Sequence, residues 1–304
     1  MFVEEYLQDL RRERYAPAAW LAYARRVGRL VRADILANPA AVRSIWIVAL
    51  GMFAAAFAVA VALALRVDRH LANEFFVQTS LTTLVSFILV TFYVGLLRNA
   101  GGFALSALTV PCVLTIARVV MLPGLALLLI QRRFMLALVV FVIAALTDVA
   151  DGWAARRFHQ ETRLGTLMDP QVDIIFNLTL FWSLHRAGLI SDWVWIAAAV
   201  RYGLLLLGGS YLFVFHGPVR VASTLFGKMA GVVMCFLVGL ILLFANVKGP
   251  VAERLAPLTQ TALGVLLVGA VGQVLVMGWY NLRLLTGEAR AARRVIDDVR
   301  WGAS

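Results

Sequence analysis

Four aspartates are the residues of this chain whose types and spacing are best suited to chemistry. Asp148 and Asp151 lie three residues apart in the segment LTDVADGWAARRFHQETRLGTLMDPQVD (146–173). Asp169 and Asp173 lie four apart in the same segment. Each pair projects from one face of a helix, and a tight connection between the two helices brings the four carboxylates together. Four like charges at a partly desolvated site repel one another strongly. Oxygen-only ligands suit hard cations, so the cluster predicts a magnesium or manganese site.

The alternative interpretation is that each aspartate caps a helix end or reaches water on its own. That arrangement is common for one or two carboxylates. It explains four poorly, because we expect them on converging helix faces with no matching basic residue between those faces.

The helices that must position these aspartates are predicted to lie in a membrane. Of the 304 residues, 62% are hydrophobic and 15% are charged, whereas soluble domains are about half apolar and a quarter charged. Several apolar runs reach the ~20 residues that a membrane-spanning helix needs. We therefore expect an all-α polytopic membrane protein with eight spans, near residues 45–66, 78–98, 112–130, 134–157, 170–189, 193–215, 223–245 and 259–284.

Residues 1–44 precede the first apolar run and form a basic N-terminal arm with eight arginines. Trp20, Tyr23 and Val27 recur there at helical spacing, with arginines interleaved. The pattern predicts a helix in the membrane interface beside anionic lipids. A solvated basic arm is the alternative.

The basic residues predict how the chain is oriented. With both termini in the cytoplasm, the cytoplasmic segments hold 19 of the 28 Lys and Arg, and the outer segments hold seven. This excess agrees with the positive-inside rule and places the four aspartates at the cytoplasmic face, in a bacterial inner membrane. The net charge of +11 is thus interpreted as membrane orientation and lipid contact, with no nucleic acid as partner.

The aspartate segment resembles the CDP-alcohol phosphotransferase family, whose motif is D-x2-D-G-x2-A-R-x8-G-x3-D-x3-D. The positions that match are Asp148, Asp151, Gly152, Ala155, Arg156, Gly165, Asp169 and Asp173. Residues 110–123, VPCVLTIARVVMLP, are similar to the family's first core helix through Thr115 and Arg118, although Cys112 stands where Asn is common. Residues 223–231, STLFGKMAG, are similar to the opening of the fifth core helix in the phosphatidylglycerophosphate-synthase-like branch.

The resemblance implies a domain organisation. The six-helix catalytic core spans about 112–285. Two additional N-terminal transmembrane helices (45–98) and the basic arm lie outside it, and a basic cytoplasmic tail (286–304) follows it.

The resemblance also implies an activity: a phosphatidyl group passes from CDP-diacylglycerol to an alcohol acceptor, CMP is released, and the enzyme works as a homodimer. Two Mg²⁺ or Mn²⁺ ions would be bound by the four aspartates, and Asp173 would deprotonate the acceptor. The residues implied for CDP-alcohol binding are Thr115, Asp148, Asp151, Gly152, Ala155, Arg156 and Gly165. Gly152 and Gly165 have helix packing as their alternative role.

Four bases beyond the motif point to the acceptor: Arg118, Arg201, Arg220 and Lys228. They suit a phosphate, so sn-glycerol 3-phosphate is the predicted acceptor and phosphatidylglycerophosphate the product. The alternative role of Arg118 and Arg201 is to pair with motif aspartates instead of binding the acceptor. Ile174 stands where that branch commonly has Lys, so inositol phosphate, serine or another alcohol stays open. A membrane transporter or an inactive scaffold are alternatives of another class, but the acids cluster at one face and none is missing from the motif.

Overall fold

The computed structural model describes residues 15–99, 101–215, 225–247 and 249–301. Within these residues the chain is helical, and its β-structure consists of two isolated bridges, Arg98 with Ala104 and Asn99 with Thr162. The prediction of an all-α polytopic membrane protein is confirmed.

Ten α-helices follow one another along the described residues. Their bounds are α1 Pro17–Ala37, α2 Pro39–Arg66, α3 Arg69–Phe92, α4 Val110–Ile130, α5 Phe134–Arg157, α6 Arg163–Arg186, α7 Asp192–Gly203, α8 Gly209–Phe215, α9 Leu225–Asn246 and α10 Pro250–Trp301. A short 3₁₀ turn, Val94–Leu96, follows α3, and a π-helical turn, Leu204–Gly208, joins α7 to α8.

Seven stretches of the described helices are long and apolar enough to cross a membrane. They correspond to seven of the eight predicted spans. The predicted span 170–189 corresponds to α6, which forms a helix of 24 residues but is not among the seven. Because α6 carries Asp169, Asp173 and other polar residues, its composition alone does not identify it as a span.

Four predicted spans begin six to nine residues too late, at 45, 78, 170 and 259 against Pro39, Arg69, Arg163 and Pro250, and helix caps account for two of them, α3 and α6. The second span was placed at 78–98, but α3 begins at Arg69, where the Asp68 carboxylate accepts a hydrogen bond from Leu71 N–H at 2.9 Å. Pro170 was expected in the first turn of α6, but it lies inside that helix. Thr162 caps α6 instead, through a 3.0 Å bond from Gly165 N–H to its hydroxyl. In both cases a capped polar turn precedes the apolar run.

Helix α4 is the centre of the fold. It packs on α5, α6 and α3, while α9 packs on α5 and α10, and α10 packs on α7. The larger buried cluster joins α4, α5, α6, α7, α9 and α10, and Leu129, Leu184, Leu242 and Leu267 are fully buried in it. These helices are the ones predicted to form the six-helix core.

A second buried cluster joins the N-terminal helices to this core. Ile45 of α2 and Phe87 of α3 are fully buried there together with Leu164 of α6. The N-terminal hairpin α2–α3 therefore packs on the helices that carry the aspartate motif.

Candidate active site

The four aspartates converge where α5 ends and α6 begins. Asp148 and Asp151 lie in the second half of α5, and Asp169 and Asp173 lie in the first half of α6. Helix α4 packs against both helices, so its side chains reach the carboxylates from a third direction. The structure thus brings together the motif residues that the spacing predicted.

Arg118 of α4 is the cation at the centre of this cluster. Its Nη1 lies 2.6 Å from Asp148 Oδ1 and 2.9 Å from Asp173 Oδ1, and its Nη2 lies 2.5 Å from Asp151 Oδ2. Arg118 is 4% exposed, whereas the side chains of Asp148 and Asp173 are 58% and 55% exposed. The described contacts of Arg118 are those of its alternative interpretation, pairing with motif aspartates.

Thr115, one turn before Arg118, connects Asp151 to Asp169, the carboxylate that Arg118 does not contact. Its hydroxyl lies 3.3 Å from Asp151 Oδ2 and 3.3 Å from Asp169 Oδ1, and 3.0 Å from the Pro111 carbonyl. A hydroxyl has one proton to donate, so it can serve only one of these acceptors at a time. Thr115 is therefore a buried hydroxyl whose hydrogen bond can switch from one carboxylate to the other when the charge of either changes.

Two cavities meet at the cluster, and the aspartates are divided between them. Cavity A, of about 70 Å³, is lined by Pro111, Cys112, Thr115, Asp151, Gly152, Ala155, Gln160, Glu161, Thr162, Gly165, Thr166 and Asp169. Six of the motif and helix residues predicted from the sequence are in this lining. The carboxylates of Asp151 and Asp169 thus belong to one side of the site.

Cavity B lies on the other side of the cluster and has a volume of about 390 Å³. Its polar lining includes Asp148, Asp173, Arg118, Arg201 and Tyr202. Its remaining walls are mostly apolar and come from α5, α6 and α9, with Phe141, Ala144, Phe176, Leu180, Phe181 and Val238 among them. One carboxylate cluster therefore separates a small polar cavity from a larger, mainly apolar one.

The two motif glycines lie where a side chain would meet neighbours. A Cβ on Gly165 would lie 3.3 Å from the Thr162 hydroxyl and 3.6 Å from Cys112 Sγ. A Cβ on Gly152 would lie 3.4 Å from a guanidinium nitrogen of Arg156. Arg156 is exposed and does not line either cavity. Arg156 thus lies beside Gly152, which lines cavity A.

The predicted acceptor bases are brought together only in part. Arg201 lines cavity B with Arg118; its guanidinium lies 5.0 Å from the Tyr202 ring centre and contacts Met234 Sδ at 2.6 Å. Its Nε is buried without a hydrogen-bond partner. Lys228 is exposed at the start of α9, beside Gly227 of the cavity lining, and Arg220 lies outside the described residues.

Several lining residues were not identified from the sequence. Gln160, Glu161, Thr162 and Thr166 line cavity A. Thr162 could have been predicted as a helix cap from the sequence, because Thr before an apolar run is a preferred cap. Gln160 had none, because its role depends on a contact between its amide oxygen and Val110 N–H at 3.3 Å.

The donor chemistry of the cluster fits a hard divalent cation. Among the described residues, Arg118 pairs with three of the four carboxylates, so these five groups retain excess negative charge, and the candidate ligand atoms are all oxygens. Within the part of the chain that the structure describes, no group of three or more His, Cys, Asp or Glu is arranged to hold a metal ion. Arg118 lies among three of the carboxylates, so ion binding requires those side chains to rearrange.

Comparisons with known proteins agree with the motif. A family model described as CDP-alcohol phosphatidyltransferase matches residues 108–278, more than half of the chain. Cardiolipin synthase (CMP-forming) of Homo sapiens is 41% identical over 83 residues, 27% of this chain and 28% of that protein. The CDP-diacylglycerol–glycerol-3-phosphate 3-phosphatidyltransferase of Aquifex aeolicus is 26% identical over 107 residues, 34% of this chain and 60% of that protein.

A putative cardiolipin synthase of Mycobacterium tuberculosis is 29% identical over 124 residues, 40% of this chain and 59% of that protein. The alignments with these relatives therefore cover between about a quarter and 60% of their length. No solved structure matches this chain.

Proposed function

This chain belongs to the CDP-alcohol phosphatidyltransferase family, and we propose that it transfers a phosphatidyl group from CDP-diacylglycerol to an alcohol acceptor and releases CMP. The observation that carries the proposal is the pair of cavities on opposite sides of one carboxylate cluster. Such a site can hold a donor and an acceptor against the same reacting centre. A transporter, the alternative left open by the sequence, is not favoured by the family match.

The proposed reaction is a displacement at the phosphorus that bears diacylglycerol. The acceptor oxygen forms a new bond to this phosphorus while its bond to the bridging oxygen of the diphosphate breaks, and CMP leaves with that electron pair. Asp173 receives the hydroxyl proton, because its carboxylate is half exposed and lines cavity B. Asp151, Asp169 and Thr115 face the donor in cavity A.

We propose that Asp148, Asp151, Asp169 and Asp173 hold the divalent ions, Mg²⁺ or Mn²⁺. Two such ions, when bound, would stabilise the attacking and leaving oxygens of the displacement. Arg118 balances part of the carboxylate charge and keeps Asp148, Asp151 and Asp173 within reach of one another.

The first candidate acceptor is sn-glycerol 3-phosphate. Arg201 supports it, because this cation lies in cavity B and its Nε has no hydrogen-bond partner. A buried donor without a partner is costly, and a phosphate oxygen would satisfy it with a charge-assisted hydrogen bond. Contacts of Lys228 and Arg220 with the same phosphate remain predictions. Inositol phosphate and serine remain alternative acceptors.

A second candidate acceptor is phosphatidylglycerol, and the apolar walls of cavity B favour it. Cardiolipin consists of two phosphatidyl groups joined by a glycerol, so its CMP-forming synthesis needs an acceptor that already carries acyl chains. Relatives of this chain are named cardiolipin synthase (CMP-forming). Phe141, Phe176, Leu180 and Val238 offer apolar surface beside Asp173, as a lipid acceptor requires.

The test is CMP release from CDP-diacylglycerol by the purified protein in detergent or lipid, with a panel of acceptors. The panel is glycerol 3-phosphate, phosphatidylglycerol, inositol phosphate and serine, each with Mg²⁺, Mn²⁺ or chelator. We expect metal-dependent CMP release with one of the two phosphate-bearing glycerol acceptors. Release that persists undiminished in chelator contradicts the metal proposal, and no release with any acceptor contradicts the transferase proposal.

Arg201→Ala measures the contribution of the acceptor phosphate. We expect the KM for the active acceptor to rise about ten- to a hundredfold, with the KM for CDP-diacylglycerol unchanged, because a charged hydrogen bond contributes roughly 1.5–3 kcal/mol. Arg186→Ala is the matched control, since Arg186 is an exposed cation at the far end of α6. Equal KM changes for all acceptors, serine included, contradict a phosphate contact at Arg201.

Two further partners of the proposed enzyme are a second copy of this chain, forming the predicted homodimer, and anionic lipids at α1. The arginines Arg25, Arg26, Arg29 and Arg32 of α1 are exposed, as is Trp20 on the same helix. These features support contact with an anionic membrane surface. Chemical cross-linking in native membranes tests the homodimer.

A further inference from the structure

The segment between α3 and α4 contains a small turn that touches the aspartate motif, although it precedes the family match, which begins at residue 108. We call residues 97–105 the 97–105 turn; residue 100 is not among the described residues. Leu105 N–H donates to the Leu97 carbonyl at 2.9 Å, and Asn99 N–H donates to the Phe103 carbonyl at 3.0 Å. The turn is therefore closed by its own backbone.

Side chains of the 97–105 turn hold its shape. Asn99 Oδ1 accepts a 2.9 Å hydrogen bond from Phe103 N–H. Arg98 donates through Nε to the Gly95 carbonyl at 3.0 Å and through Nη1 to the Gly102 carbonyl at 3.5 Å. Gly102 has a φ of +84°, which a glycine adopts without strain. The side chains of Arg98 and Asn99 therefore tie the described residues of the turn to one another and to Gly95.

The outer edge of the 97–105 turn bonds to the connection between α5 and α6. The Arg98 carbonyl accepts a hydrogen bond from Arg163 N–H at 3.2 Å, and Asn99 forms a β-bridge with Thr162. Thr162 is 5% exposed and is the residue that caps α6. The helix that carries Asp169 and Asp173 therefore begins at a residue held by the turn.

Apolar packing strengthens the same contact. Leu97 is 1% exposed and lies in the same buried cluster as Leu164. Leu164 is fully buried and belongs to the first turn of α6. The 3₁₀ turn before Leu97 also contacts α6. Burial of large apolar side chains is stabilising, so the turn and the start of α6 are coupled by more than hydrogen bonds.

The connection that the turn holds is a wall of cavity A. Gln160, Glu161 and Thr162 line that cavity together with Asp151 on one side and Asp169 on the other. Gln160 also accepts a hydrogen bond from Val110 N–H at the start of α4. The connection is thus fixed from α4 on one side and from the 97–105 turn on the other.

We propose that the 97–105 turn positions the α5–α6 connection so that the two halves of the aspartate motif keep their spacing around cavity A. Arg98 and Asn99 are then positioning residues, which act through Thr162 and do not touch substrate. The effect on the donor rests on the proposed function, because cavity A is assigned to CDP-diacylglycerol there. The effect on the α5–α6 connection itself is independent of the proposed function.

Asn99→Ala tests the proposal, and Asn99→Asp and Phe103→Ala are the control variants. Alanine removes the oxygen that accepts from Phe103 N–H, and aspartate retains one. Phe103→Ala changes a side chain on the same turn that is 75% exposed and keeps the backbone bonds. A lost hydrogen bond corresponds to about a fivefold change, so amide exchange in residues 158–166 should be about fivefold faster in Asn99→Ala. The exchange rate should be unchanged in the two control variants.

Kinetics supply the second measurement. We expect Asn99→Ala to raise the KM for CDP-diacylglycerol about fivefold, with the acceptor KM unchanged, and Asn99→Asp to restore it. Arg98→Ala should give the same pattern, and it serves if Asn99→Ala does not fold. Unchanged exchange in 158–166, or equal rises in both KM values, contradicts the proposal. Faster exchange together with a wild-type protein that releases no CMP contradicts the proposed function and supports the positioning role.

Discussion

At the residue scale, the site depends on one buried guanidinium among four carboxylates. Arg118 contacts Asp148, Asp151 and Asp173, and the spacing of the motif predicted the convergence of the aspartates. The sequence could not decide between pairing and acceptor binding for Arg118, because that choice depends on the distance between α4 and α5. Packing of α4 on both α5 and α6 sets that distance.

Asp173→Asn should eliminate turnover while the protein stays folded. The amide oxygen of Asn can still accept from Arg118 Nη1, but the side chain can no longer take the acceptor proton. A general base contributes about 10²–10⁴-fold to rate, so CMP release should fall by at least about a hundredfold, with an unchanged thermal midpoint. Asp192→Asn, at an aspartate with a 90% exposed side chain, is the control and should stay active. Undiminished turnover in Asp173→Asn would remove the base from the mechanism.

Arg118→Ala should lower stability because three carboxylates lose their common cation. Removing one partner of a buried ion pair costs about 3–5 kcal/mol, and the exposure of Asp148 and Asp173 places this case near roughly 3 kcal/mol. The measurement is the thermal midpoint in chelator, and Arg186→Ala is the control, with a change within about 0.5 kcal/mol. Added Mg²⁺ should recover part of the loss in Arg118→Ala. An unchanged midpoint would show that the carboxylates need no cation.

At the element scale, apolar runs predicted most helices, but not where the polar helix starts lie. The span 134–157 coincides with α5, because its ends follow the apolar run closely. The start of α6 was placed seven residues too late, since Thr162 caps a turn that contains Arg163, Gly165 and Thr166. The contact of α2 and α3 with the core had no sequence signal, because it depends on packing between distant helices.

Gly124→Ala tests the contact between α3 and α4. A Cβ at Gly124 would lie 2.6 Å from Phe75 Cε2 of α3, so one helix or the ring must shift. Overpacking of this kind costs about 1–3 kcal/mol, whereas Gly51→Ala, where nothing lies within 4 Å, should be neutral or stabilising. Thermal unfolding in detergent measures both. In a Phe75→Ala background the penalty at Gly124 should disappear; a penalty that persists there would assign it to another contact.

At the scale of the whole molecule, the chain combines a family domain with a hairpin of two membrane helices. Residues 108–278 match the family, while α2 and α3 precede it and share a buried cluster with α4 and α6. The candidate active site lies at one end of the bundle, where α5 ends and α6 begins. Its side of the membrane therefore decides which substrates reach cavity B directly from the aqueous phase.

The orientation prediction follows from charge and from the number of crossings. Cytoplasmic segments hold 19 of the Lys and Arg and outer segments hold seven when both termini are inside. Among the described residues, seven helical stretches meet the length and composition of a span. Helix α6, with 24 residues, is about 36 Å long, which is enough for the ~30 Å hydrocarbon core, so we expect it to supply the eighth crossing. This count places His159 inside and Arg132 outside.

Single cysteines at these two exposed positions measure the orientation. In a background with Cys112→Ala and Cys235→Ala, a membrane-impermeant maleimide added to intact cells should label Arg132→Cys and miss His159→Cys. Both should react after the membrane is opened, which controls for accessibility. The reverse pattern would place the aspartates outside and overturn the charge argument. Labelling of both from outside would show that α5, which lies between the two positions, does not cross the membrane.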